Sequence, residues 1–94
     1  MTDEELDLRR IAARADRARA IIEDELLVAA FANLEATYVE AWQATRSDDT
    51  AGREALWHRI KALGMVRADL NRVLEDGMIA RDRLDDISAG ITNP

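Results

Sequence analysis

The chain has no cysteine, one histidine and a single proline, which is its last residue. Without cysteine there is no disulfide framework and no thiol chemistry, a composition that fits a reducing compartment. Without internal proline, and with four glycines among 94 residues, the strongest helix breakers are scarce and helix goes almost unopposed. Aromatic residues are few: two tryptophans, one tyrosine and one phenylalanine. Apolar residues make up 48% of the chain, but many are alanines, and each buries little area at roughly 25 cal/mol per Å². A single copy therefore has a thin core for its length, and association is the natural remedy. No stretch of 18 or more apolar residues occurs, and the N-terminus opens on Thr2-Asp3-Glu4-Glu5, so neither a membrane span nor a signal peptide is expected. The net charge of −6 argues against coating nucleic acid with the whole surface, while leaving room for a local basic stripe.

What the chain does have is helical periodicity. Leu56, Leu63, Val66, Leu70, Val73, Gly77, Ala80, Leu84, Ile87 and Ile91 follow one another in steps of three and four, interrupted only by Arg59. That spacing places them on one face of a slightly underwound helix and predicts lengthwise packing against another helix. From Leu63 to Ile87 we assign this seam to contact between copies. Upstream, Asp3 to Ile22 is rich in alanine and arginine, with a narrow face of Leu8, Ile11, Ala15, Ala18 and Ile22. Thr2 and Glu5 form a capping pair at its start. Leu26 to Ala44 carries apolar residues over a much wider arc, as expected of a helix buried on more than one side. Asp24 is placed to cap a fresh helix from Glu25, and Asp49 or Thr50 to cap another. Between them, Arg46-Ser47-Asp48-Asp49-Thr50 is the clearest punctuation, and so short a connection makes its flanking helices antiparallel.

The expected fold is all-α: one domain over residues 1–94, built as a long antiparallel helical hairpin that assembles as an oligomer. Its segments are 3–22, 25–46 and 51–88, the first continuous with the second or broken from it near Asp24. A continuous helix through Gly77 is favoured, because acidic Glu75-Asp76 would be unfavourable at a helix C-terminus. Gly90 and Asn93-Pro94 read as a fraying end.

Chemistry is harder to find. Glu54 and His58 stand one turn apart, but a carboxylate-bridged metal site in a bundle uses Glu-x-x-His with further ligands on facing helices. With no second histidine, we expect no metal and no cofactor, and Ser47 and Ser88 have no evident base beside them. Arg10, Arg14 and Arg17 share a helix face, flanked by Arg9 and Arg19, and form a stripe suited to phosphate or to an acidic partner. Asp7, Asp16 and Glu23 on the same helix compete for those arginines, and no helix-turn-helix pattern precedes them. Trp42 and Trp57 lie on either side of the turn at similar heights, with Tyr38 one turn below, and are expected to pack together at the hairpin tip.

Ala29-Ala30-Phe31, Leu34-Glu35, Tyr38, Glu40-Ala41-Trp42 and Thr45, then Asp49-Thr50, Arg53-Glu54 and Leu56-Trp57, together resemble small helical proteins of tailed-phage and prophage virion gene clusters in proteobacteria. The likeness continues weakly to Leu70 and Gly77. It implies a non-enzymatic assembly protein, most concretely a small-terminase-like oligomer in DNA packaging, acting in the bacterial host cytoplasm. The partners so implied are further copies of the chain, a large terminase or another virion protein, and DNA. A different reading is a dimeric helical hairpin that binds another protein as adaptor or inhibitor. The helical chorismate mutases also use several arginines, but the arginines here do not follow that family's spacing.

Overall fold

The computed structural model describes residues 1–90, so Ile91 and the Asn93-Pro94 end lie outside the described residues. Three helices account for nearly all of them: α1 (Asp3–Ile22), α2 (Glu25–Ala44) and α3 (Thr50–Ser88). Each begins at a cap that local chemistry dictates. The Thr2 hydroxyl accepts from the Glu5 amide at 3.1 Å and itself donates to the Glu5 carboxylate at 3.3 Å. Asp24, in extended backbone, accepts from the Leu27 amide at 2.9 Å. Asp49 accepts from the Gly52 amide at 3.0 Å, and the carboxylate occupies the space that a Cβ on Gly52 would need. These contacts satisfy amide donors that the first turn of a helix leaves free. At the other end of α3, Gly90 takes a left-handed φ of 75° and its amide donates to the Ile87 carbonyl at 3.1 Å, the usual glycine termination of a helix.

The chain divides into two compact units, one of residues 1–21 with the chain from Asp69 onward, the other of Ile22–Ala68. In the first, α1 lies antiparallel to the C-terminal half of α3, with Glu4 bonded to Arg83 and Asp16 to Arg81. The core of this unit is made of the smallest side chains available: Ala12, Ala15, Ala18, Gly77 and Ala80 are its buried residues. Gly77 faces the Ala15 methyl so closely that an added Cβ would overlap it, and α3 runs through this point unbroken. Small residues at a crossing let two backbones approach, and the dispersion contacts of backbone and methyls replace those of large side chains.

In the second unit, α2 and the first half of α3 form the expected antiparallel hairpin. Phe31, Tyr38 and Trp42 meet Arg67, Arg59 and Arg53 in reverse order along α3. Leu27, Phe31, Tyr38, Val39 and Trp42 are half-buried against it, as are Leu56, Ile60 and Leu63. No residue of α2 is fully buried. The wide apolar arc of α2 is therefore covered on one side only, and Leu26, Val28, Leu34 and several alanines remain open.

Gly64 stands apart from the other helical glycines, because a Cβ there would meet nothing within 4 Å. Gly64→Ala should therefore gain the helix-propensity difference, up to about 1 kcal/mol. Thermal unfolding followed by circular dichroism should show a rise of a few degrees. A fall would mean that this face of α3 is covered.

Candidate functional site: an open apolar helix and an arginine face

All five arginines of α1 are exposed. Arg10 reaches Asp7 at 3.6 Å with both side chains well solvated, an arrangement worth little in water. Asp16, which shares the helix, turns to Arg81 of α3 instead. Arg14, Arg17 and Arg19 form no ion pair among the described residues. Since Ala12, Ala15 and Ala18 occupy the opposite side, Arg10, Arg14 and Arg17 project to solvent as one row. Arg9 is turned toward a shallow groove that it lines with Asp16, Arg81 and Asp85. Two cations and two carboxylates balance there, so the groove presents no charge of one sign.

The seam on α3 is divided between two neighbours. Leu63 is half-buried in the hairpin with α2, while Val66 is exposed. Leu70, Val73, Leu84 and Ile87 are half-buried, and Gly77 and Ala80 are buried within the single chain, against α1. Ala80 retains only 2% of its surface.

At the hairpin tip the two tryptophans each meet a cation. The Arg53 guanidinium lies 4.3 Å from the Trp42 ring centroid, and the Lys61 ammonium 4.9 Å from that of Trp57. Trp57 also takes the edge of His58, with ring centroids 5.6 Å apart. Arg53 does more than stack: it donates to the Thr45 hydroxyl at 2.9 Å, which donates in turn to the Trp42 carbonyl at 2.6 Å. One arginine thus fastens the end of α2 to the start of α3. Trp42, Arg53, Glu54, Trp57 and His58 line a shallow groove at this tip. No cluster of His, Cys, Asp and Glu able to hold a metal occurs among the described residues, and no helix among them is long and apolar enough to cross a membrane.

Two features of this surface lie outside the expectations drawn from the sequence. The ion pairs Glu35–Arg67 and Asp16–Arg81 join residues far apart in the chain, and no local pattern marks them. The cation over Trp57 was in principle visible, since Lys61 stands one turn after it, whereas Arg53 reaches Trp42 from the facing helix. No protein-family model, curated protein or solved structure matches the chain.

Proposed function

We propose that the protein is a non-enzymatic, self-associating assembly factor of the phage type, most concretely small-terminase-like in DNA packaging, working in the bacterial host cytoplasm. The observation that carries the reading is α2. It is apolar around most of its circumference, yet none of its residues is buried within the chain. A helix of that composition is stable when other surfaces cover it, and further copies of the chain supply them. The phage attribution comes from the resemblance of residues 29–57, and with it the expectation of a large terminase or another virion protein as partner. The outward row Arg10, Arg14 and Arg17 would face DNA, and repetition of that row in an oligomer would multiply its phosphate contacts.

The test is native mass by light scattering at two salt concentrations, followed by titration with duplex DNA. A stable mass of about eight or more subunits supports a ring of the small-terminase kind, as heterologous contacts close on themselves. A dimer moves the weight to the second reading, a hairpin adaptor or inhibitor, which the open α2 face also supports. For DNA, replacing Arg10, Arg14 and Arg17 together by alanine should weaken binding at low salt. The slope of log affinity against log salt should fall by up to about three for each copy in contact. Equal binding by wild type and triple variant would remove the stripe from the DNA-binding surface.

A further inference from the structure

We infer that the row Arg10, Arg14 and Arg17 on α1 of one copy docks on the acidic row Glu75, Asp82 and Asp86 on α3 of a second copy. The inference rests on the self-association in the reading above and adds a competition to it: duplex DNA and the next copy contend for the same arginines. Both rows belong to the unit of residues 1–21 with the chain from Asp69 onward. On α1, Arg10, Arg14, Arg17 and Ile21 follow in steps of four, three and four, and on α3 Glu75, Ile79, Asp82 and Asp86 repeat the same steps. Such steps keep each set on one helix face. All eight residues are exposed. The two faces point away from each other, because Ala12, Ala15 and Ala18 of α1 and Gly77 and Ala80 of α3 are buried between them. One side of the unit is basic and the other acidic.

Three observations choose a second copy as occupant. The first is uncompensated charge of opposite sign. Glu75, Asp82 and Asp86 form no ion pair among the described residues, since Arg72, Arg81 and Arg83 of the same helix are taken by Asp69, Asp16 and Glu4. Arg14 and Arg17 are equally unpaired there, and Arg10 meets Asp7 only at 3.6 Å. The second is spacing and direction. Because α1 and α3 run antiparallel within the unit, a copy stacked in the same orientation lays its α1 antiparallel on the α3 of the first. Arg10 then comes level with Asp86 and Arg14 with Asp82, while Arg17 falls beside Ile79, between Asp82 and Glu75. Ile21 and Ile79, with 44% and 68% of their surface exposed, add apolar area to the contact. The third is what the charges forbid. Acidic row on acidic row and arginine row on arginine row both repel, so a two-fold contact of either face is ruled out. A head-to-tail contact remains, the kind that closes into rings.

The test is a charge swap. Wild type, Arg14→Glu, Asp82→Arg and the double variant are compared by sedimentation and light scattering at low salt. Both positions are exposed, and glutamate and arginine are good helix formers. The two residues lie on opposite sides of the unit, so compensation between them passes from one copy to the next. The expected result is a self-associated wild type and single variants at least about 10-fold weaker, because like charges then face each other. The double variant should return to within about threefold of wild type. Short duplex DNA should lower the wild-type mass as phosphates take the arginines. Should a variant fail to fold, the salt response of the wild type decides. Its mass should fall between about 0.01 and 1 M salt, where the screening length shrinks from about 30 to 3 Å. A wild type that is monomeric at every salt overturns both this inference and the assembly reading. An associated wild type overturns only this contact in any of three cases: its mass persists at high salt, the single variants match it, or the double variant stays weak. DNA that needs Arg14 to bind yet leaves the wild-type mass unchanged does the same.

Discussion

Replacing Gly77 with leucine is expected to lower the melting temperature by roughly 10–20 °C. Two effects compete at this position. Removing glycine from a helix interior gains about 1 kcal/mol of helix propensity. Against that, even a lone Cβ would overlap the Ala15 methyl and come within 3.5 Å of the Ala15 Cα and 3.6 Å of the Ile11 carbonyl oxygen. An alanine methyl has no flexible end to swing aside, so the helices themselves must separate. Separation opens the contacts of Ala12, Ala18 and Ala80, which are the buried residues of this unit besides Ala15 and Gly77. Overpacking a tight core costs about 1–3 kcal/mol, and more where nothing yields, so the clash outweighs the propensity gain. A net loss of about 2.5 kcal/mol, at about 4–8 °C per kcal/mol for a chain of this size, gives that range. Gly77→Ala should move in the same direction by less. The control is Gly64→Leu, in the same helix with open space around it, which should raise melting by a few degrees through helix propensity alone. Equal melting of Gly77→Leu and Gly64→Leu would show that α1 does not lie on Gly77.

The same crossing marks how far a reading of the sequence could reach. Helix ends were legible because caps are local: Thr2, Asp24 and Asp49 each act on an amide three residues on. The hairpin was legible because the polar run after Trp42 leaves too few residues for anything but a reversal. The periodicity of Leu56 to Ile87 showed that one face of α3 is covered, yet a three-four repeat is the same whether the cover comes from the same chain or from another. In the structure that face is divided, with Leu56 and Leu63 in the hairpin with α2 and Gly77 against α1. The arginine row was legible from helical geometry alone, whereas the turning of Asp16 to Arg81 depends on a tertiary contact that spacing does not encode. For α2 the width of the apolar arc was plain. That α3 covers only part of it is what directs attention to other copies.

In the hairpin, Trp42→Ala is expected to cost about 2–3 kcal/mol, with the loss concentrated in α2 and the first half of α3. Full burial of a tryptophan would set the cost of truncation at about 3–5 kcal/mol. Trp42 is half-buried, which removes about half of that, and the Arg53 guanidinium over its ring restores about 0.5–1 kcal/mol. The change also removes the surface on which Arg53 rests while it holds the Thr45 hydroxyl, so the tip should loosen beyond the lost area. Trp57→Ala provides the contrast. With 49% of its surface exposed and ring partners, Lys61 and His58, that belong to its own helix, it should cost less than Trp42→Ala, about 1–2 kcal/mol. Hydrogen exchange distinguishes the two changes better than melting alone. Trp42→Ala should speed exchange of the amides around residues 40–56 and leave those around Gly77 protected, because local opening draws on contacts near the site. If both tryptophan variants melt alike and exchange alike, the Arg53–Trp42 stack does not hold the tip. The hairpin would then depend on its Leu27, Phe31 and Leu63 layer instead.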